Sequence, residues 1–217
     1  MQDLSQVLNL KLAGHRLKLK RQADLETLWS GLEEPSRDMD QERIPYWAEV
    51  WPSSVLLAEH LDRNRELIRG RLCLEAGCGL GATSILASRL GARVVAVDME
   101  PDALVFARQS AKANNTPEVL WAGIDWKRGG LKKNLFEFIW AADVLYETGF
   151  ALPLAGFFRN CLAPGGRIWI ADQNRNVSAD TWARLLSQGF KAKEIEERRV
   201  SWFGQKAGVR LLELVRR

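Results

Sequence analysis

The chain has 217 residues, 47% of them hydrophobic and 27% charged, with a formal net charge of +4. That length is enough for one substantial core, and the charge is too mild to demand nucleic acid or an acidic surface as partner. No run is long and apolar enough for a transmembrane helix, and the start MQDLSQVLNLKL lacks the basic and apolar regions of a signal peptide. The three cysteines, Cys73, Cys78 and Cys161, form no CxxC pair, so a cytoplasmic protein with reduced thiols is the expectation.

Residues 1–50 read as an N-terminal extension, and residues 51–217 as the principal domain. LKLKR (17–21) alternates apolar and basic side chains and suits a half-exposed strand. The five basic residues from Lys11 to Arg21 read as a solvated strand face, because no aromatic residues interleave for base stacking. Residues 25–32 look like a short helix and residues 38–43 like a polar loop. In IPYWAEVWPSSVLLAEHL (44–61), aromatics precede an amphipathic helix that Ser53 or Ser54 is placed to cap.

From Arg71 onward apolar runs alternate with helical patterns. Strands are expected at 72–75, 93–98, 119–122, 136–142 and 167–172. Helices are expected at 82–90, 101–114 and near 150–161, with APGG (163–166) as a turn. Alternation of this kind implies crossover units and a parallel sheet covered on both faces. The last two strand-like segments, 194–202 and 209–215, are joined by FGQKAG and read as a terminal antiparallel hairpin.

LEAGCGLGA (74–82) places Gly77, Gly79 and Gly81 between a strand and a helix, where open α/β sheets bind ligands. A dinucleotide loop spaces its glycines GxGxxG around a diphosphate. Here the spacing is GxGxG, and Glu75 stands two positions before the first glycine. A carboxylate beside the loop disfavours a diphosphate and favours a ligand carrying an ammonium and a sulfonium. Asp98, ending the second strand, is placed to accept from both ribose hydroxyls, and Met99 to cover one face of a purine. Asp125 is placed to accept from an exocyclic amine, with Trp126 available to stack. Together these residues point to S-adenosyl-L-methionine.

The stretch LEAGCGLGATSILASRLGARVVAVDMEPDAL resembles the first motifs of the class I, seven-stranded S-adenosylmethionine methyltransferases. AEVWPSSVLLAEHL, GIDW (123–126) and AADVLYE (141–147) resemble segments of methyltransferase family 16, the protein-lysine methyltransferases. PYW (45–47) resembles the bacterial-type relatives of its flavoprotein-subunit branch. The resemblance implies a doubly wound, Rossmann-like α/β fold, mostly parallel with an antiparallel C-terminal hairpin. It also implies methyl transfer to an amine nitrogen, a protein lysine in first place, with Asp143 and Tyr146 at the acceptor and Trp51 and Ala142 beside the cofactor.

Methyl transfer is an in-line displacement, so the protein mainly orients a nucleophile about 3–3.5 Å from the methyl carbon. A lysine amine with pKa near 10.4 is deprotonated in only about one molecule in two thousand at neutral pH. Desolvation among Tyr46, Trp47, Trp51 and Tyr146 lowers that pKa, while Asp143 is too weak a base to take the proton and suits capture of the ammonium. Trp51 and Trp126 are candidates for cation–π contact with a sulfonium. Trp121, Trp140, Trp169 and Trp182 are expected in the core, and His15 and His60 are expected to hold no metal. The alternatives are a small-molecule amine acceptor, a nucleic-acid acceptor and a non-catalytic cofactor-binding module. ADVLYE lacks the Pro-Pro-Tyr/Phe pattern of base methyltransferases, and no acidic residue of the loop motif is missing. A soluble monomer without a membrane anchor completes the expectation.

Overall fold

The computed structural model describes residues 5–30, 44–173 and 178–217. Strands β1 (Gln6–Leu12) and β2 (His15–Arg21) form a hairpin through Ala13 and Gly14, both at positive φ, the twist a two-residue connection requires. Alternation turns Leu10, Leu12, Leu17 and Leu19 inward and leaves Lys11, Arg16 and Lys18 exposed, as expected of a solvated face. Helix α5 (Pro101–Ala113) and its cap close the outer edge of β2. The Ser110 hydroxyl accepts the Lys20 N–H, and the Asn114 amide both accepts from and donates to the Lys18 backbone.

Helix α1 (Leu25–Ser30) fills most of the expected 25–32 helix; residues 31–32 and the expected 38–43 loop lie outside the described residues. A 3-10 turn, Tyr46–Ala48, then leads into α2 (Pro52–Arg63) and α3 (Arg65–Ile68). Neither Ser53 nor Ser54 caps α2. Extended Trp51 occupies the cap position without a side-chain bond to the helix N-terminus, Pro52 supplies a preset φ, and Ser53 is buried inside the first turn.

The principal sheet has seven strands in the order β5-β4-β3-β6-β7-β9-β8. Strands β3 (Leu72–Ala76), β4 (Arg93–Asp98), β5 (Leu120–Gly123), β6 (Phe136–Ala142) and β7 (Leu162–Gln173) run parallel. Strand β9 (Gln205–Arg216) is antiparallel to β7, and β8 (Phe190–Trp202) is antiparallel to β9. Helices α4 (Ala82–Arg89), α6 (Ala151–Cys161) and α7 (Ser178–Ser187) complete the crossovers with α5.

Two junctions differ from the sequence expectation. Residues 163–166 do not end one element and begin another; they are a register break inside β7, whose Leu162 pairs with Phe136 and Arg167 with Phe138. A Cβ on Gly166 would lie 2.9 Å from the Glu137 carbonyl oxygen, so the break needs a glycine there. The terminal hairpin turns on only Phe203 and Gly204, both at positive φ, and its strands therefore run longer than expected.

Apolar layers cover both faces. One joins the hairpin leucines to α2, α4 and α5 over Trp140 and Trp169, and the other packs α6 and α7 around Phe136, Phe158 and Trp182. Each leucine-sized side chain removed from water contributes roughly 1.5–3 kcal/mol. From β3 the chain winds outward to β5 and then returns to place β6 on the other flank of β3. Strand order reverses at that point, and a crevice opens beyond the carboxyl ends of β3 and β6.

Candidate functional site at the sheet switch point

The crevice encloses about 680 Å³ between the 77–80 loop, the 44–51 segment, the ends of β4 and β6, and residues 143–150. The loop is held by the end of β4: the N–H groups of Gly77 and Cys78 both donate to the Val97 carbonyl, at 2.9 and 3.0 Å. Its three glycines are required for three different reasons. Gly77 has φ 71°, and a Cβ there would sit 2.7 Å from Val144. Gly79 has φ 49° and faces the Trp47 carbonyl oxygen, 3.2 Å from where a Cβ would be. Gly81 has φ 79°, and a Cβ would meet the Trp121 ring at 2.7 Å and Ala107 at 3.1 Å. Gly77 and Gly79 line the crevice, whereas Gly81 is outside the lining and lets α4 pack against the sheet and α5.

Two buried carboxylates set the electrostatics. Glu75 accepts the hydroxyls of Thr83 and Ser84, one on each oxygen, and burial pushes its pKa up to about 7 against those donors. The hydroxyls come from the first turn of α4, so the carboxylate ties the strand end to the helix start. Asp98 accepts the Gly79 N–H on one oxygen at 2.8 Å and the Glu100 N–H on the other at 3.0 Å. Burial raises its pKa to about 6 although both N–H groups oppose the shift. A carboxylate oxygen accepts more than one hydrogen bond, so each Asp98 oxygen keeps acceptor capacity at the crevice wall. Met99 lies beside it in the lining.

Trp126 is buried and lines the crevice, edge-on to Phe150 at 5.7 Å, and its indole N–H has no hydrogen-bond partner among the described residues. Asp125 is turned elsewhere. Its carboxylate accepts the Lys127 N–H at 2.9 Å and faces Arg128 at 3.8 Å, closing its own turn outside the lining.

Tyr46, Trp51, Tyr146 and Phe150 form an aromatic wall of the crevice, joined to Trp126 through Phe150. Tyr46 lies 5.0 Å from Tyr146 and 5.8 Å from Trp51, and the Trp51 indole donates to the Tyr46 carbonyl at 2.9 Å. Burial pushes the Tyr146 hydroxyl well above its ordinary pKa, so it stays neutral. The 44–51 segment that carries half this wall is pinned by Glu49, which accepts the Arg21 guanidinium and the Leu25 N–H. Ala142 ends β6 in the lining, and Asp143 follows it, buried, at φ 53°. Gln173 donates to both oxygens of Asp143, each at 3.1 Å.

Of the expected site residues, the structure thus brings Trp51, Glu75, Gly77, Gly79, Asp98, Met99, Trp126, Ala142, Asp143 and Tyr146 to one crevice, and leaves Gly81 and Asp125 outside its lining. Glu49, Thr83, Glu100 and Glu147 line it without having been singled out. Thr83 was visible as a hydroxyl in the first helical turn behind the glycines; Glu49 carries no local signal. His60 packs edge-on against Trp169 at 4.6 Å, and burial pushes its pKa down to about 4. No group of three or more His, Cys, Asp and Glu among the described residues is placed to hold a metal.

A family model described as a methyltransferase domain matches residues 53–214. The chain belongs to the methyltransferase domain family. It is 35% identical over 155 residues to the human histone-arginine methyltransferase METTL23, covering 67% of this chain and 80% of that one. It is 32% identical over 133 residues to the zebrafish (Danio rerio) electron transfer flavoprotein beta subunit lysine methyltransferase, covering 60% and 51%. The chain spans about half the length of the first curated relatives it matches. Among solved structures, the T. thermophilus 16S rRNA N2 G1207 methyltransferase in complex with AdoMet and guanosine superposes with TM-score 0.66 at 16% identity, over 98% of this chain and 51% of that one. The Synechocystis PCC 6803 magnesium protoporphyrin IX methyltransferase with bound SAH superposes with TM-score 0.58 at 19% identity, over 76% and 86%. At these identities the structural likeness establishes the shared fold of the methyltransferase domain. No helix among the described residues is long and apolar enough to cross a membrane.

Proposed function

We propose that this methyltransferase domain uses S-adenosyl-L-methionine to methylate an amine nitrogen of a protein, a lysine side chain in first place. The observation that carries the reading is charge. Among the described residues, six carboxylates (Glu49, Glu75, Asp98, Glu100, Asp143 and Glu147) and a single ammonium, that of Lys127, line the crevice of a chain with net charge +4. Such a wall focuses a negative potential that draws in cations. Both the cofactor, with its ammonium and sulfonium, and a protonated lysine are cationic there. The relatives named for protein lysine and protein arginine methylation support a protein acceptor.

When bound, the cofactor supplies an electrophilic methyl group on a positive sulfur. The remaining acceptor capacity of Asp98 suits its ribose hydroxyls, and Met99 and Trp126 offer apolar surface to its purine. Gly77 and Gly79 allow the left-handed turns that seat the loop backbone against Val144 and the Trp47 carbonyl at the crevice wall. Glu75, engaged by two hydroxyls, contributes negative potential rather than a free ligand oxygen. Trp51, in the lining, would offer a ring face for cation–π contact with the sulfonium.

The acceptor half is the work of Asp143 and the aromatic wall. Asp143 captures and orients an incoming ammonium, and Tyr46, Trp51, Tyr146 and Phe150 strip water from it, which favours the neutral amine. Capture by a carboxylate opposes that loss of the proton, so the wall and Asp143 work against each other, and the proton leaves through water. Asp143 and the wall would hold the neutral amine in line with the methyl group, and the N–C bond would form as the methyl C–S bond broke and S-adenosylhomocysteine left.

A guanidine nitrogen is the second reading, favoured by the histone-arginine methyltransferase relatives. Calorimetric titration with S-adenosylmethionine, followed by transfer of a tritiated methyl group into a lysate, tests both. Label that survives nuclease, is lost to protease and elutes as methyl-lysine after hydrolysis is the expected result. Methyl-arginine favours the second reading, label in small amines or nucleic acid contradicts a protein acceptor, and absence of cofactor binding contradicts an enzyme.

A further inference from the structure

The ladder between β6 and β7 ends at the pair Ala142 and Ala171. One residue on, Asp143 abandons the extended path for φ 53° and donates its own N–H to the Ala171 carbonyl at 2.9 Å. Aspartate is one of the few non-glycine residues that visit this left-handed region, because its short side chain can hydrogen-bond nearby backbone. The turn swings the carboxylate back across the end of the sheet, where the Gln173 N–H meets Oδ1 and the Gln173 amide Nε2 meets Oδ2. Gln173 pairs with Val209 on β9 and is not part of the crevice lining, whereas Asp143 is. The neighbouring Asp172 is buried, accepts the Trp182 indole N–H at 2.9 Å and faces Arg210 at 3.4 Å, which fixes the end of β7 that carries Gln173.

Both donors thus come from a residue outside the crevice lining, one to each oxygen, and each oxygen of the lining carboxylate can accept a further bond. We propose that Gln173 is a positioning residue for methyl transfer, gripping Asp143 so that its open side faces the acceptor nitrogen. The proposal rests on the reading of Asp143 as the ligand of the acceptor ammonium. A carboxylate whose only task is to satisfy the Gln173 backbone N–H has no need of the second bond from the side chain. The side chain is thus the part to test, because every substitution at this position keeps the backbone donor.

The full chain is compared with Gln173→Leu, Gln173→Glu, Gln173→His and Asp143→Asn. Three measurements are made: calorimetric affinity for S-adenosylhomocysteine, kcat and KM for tritium transfer into core histones and recombinant electron transfer flavoprotein β subunit, and crystal structures of wild type and Gln173→Leu. Cofactor affinity should stay within about threefold throughout, since the proposed roles of Gln173 and Asp143 concern the acceptor nitrogen. Gln173→Leu should lower kcat/KM by a factor between about ten and a hundred, the scale of a misplacement approaching 1 Å. Gln173→Glu, nearly the same shape, should do worse by setting two carboxylates against each other. Gln173→His keeps an N–H donor at similar reach and should recover most of the activity. Wild-type kcat and KM in Gln173→Leu beside an inactive Asp143→Asn would overturn the positioning role while leaving the reading of Asp143 intact. Full activity in Asp143→Asn would overturn that reading instead. In that case, or if neither probe is methylated by the wild type, the crystal structures decide. A carboxylate swung away in Gln173→Leu supports the grip, and an unmoved one refutes it.

Discussion

Replacing Asp98 with Asn should break cofactor binding while leaving the fold nearly as stable as before, a separation that the hydrogen bonds at this position make quantitative. The carboxylate accepts two backbone N–H groups, and an amide oxygen can serve only one, so the other N–H faces an NH₂ group. An unmatched buried donor costs about 1–3 kcal/mol. Against this stands the cost of burying the anion. Its pKa of about 6 lies above the ordinary 3.8, so folding favours the protonated carboxyl. Stability therefore falls as pH rises between those two values, by roughly 3 kcal/mol in all. Above that window the amide escapes this penalty, and the two terms offset to within about 2 kcal/mol. Ribose hydroxyls, however, lose a charged acceptor worth roughly 1.5–3 kcal/mol, which is at least a tenfold loss of affinity. Urea unfolding and calorimetric titration with S-adenosylhomocysteine, both above pH 7, measure the two quantities on the same samples. Unchanged affinity would show that the ribose is held elsewhere, and a variant that fails to fold would show that the buried charge is structurally indispensable.

Gly81→Ala should do the reverse. Left-handed strain of about 1–2 kcal/mol and overpacking of about 1–3 kcal/mol against Trp121 should lower stability by roughly 2–5 kcal/mol, with cofactor affinity of the folded fraction unchanged; a large affinity loss at full stability would refute the packing role. Cofactor affinity in the wild type should rise with pH through about 6 to 7 and then level off, because a cationic ligand prefers Asp98 and Glu75 ionised and protons compete below that window; a flat calorimetric profile would contradict this. Tyr146→Phe should cost transfer less than Asp143→Asn does, since the ring keeps its packing against Tyr46 and Phe150; equal losses in single-turnover assays would instead give the hydroxyl a part in orienting the nucleophile.

Much of the fold was legible because strands such as RVVAVD are short β-branched runs bounded by glycine, proline or asparagine, and these signals are local. The misjudged junctions are those where tertiary contact overrides a local cue. Ser53 looks like a helix cap, yet it is buried behind an extended Trp51 and a proline that already sets φ. The 163–166 stretch carries turn residues, yet pairing of Leu162 with Phe136 and of Arg167 with Phe138 keeps it inside β7, with Gly166 close against the Glu137 carbonyl. Within the site, strand-end acids were readable because an open parallel sheet directs its strand ends to one crevice. Gly81 and Asp125 shared the motif but not the crevice: sequence spacing does not distinguish a glycine facing a ligand from one facing Trp121. Gln173 lies 30 residues from Asp143 in no motif, and only the return of β7 beside β6 brings the two together.

The role of Asp143 in protein methylation is tested most directly by single-turnover transfer from saturating tritiated S-adenosylmethionine to core histones and to recombinant electron transfer flavoprotein β subunit, with wild type and Asp143→Asn in parallel. The wild type should label a side-chain nitrogen, and the variant should lose about a hundredfold or more at nearly unchanged cofactor affinity. Equal transfer by Asp143→Asn, or transfer by the wild type to nucleic acid alone, would contradict it.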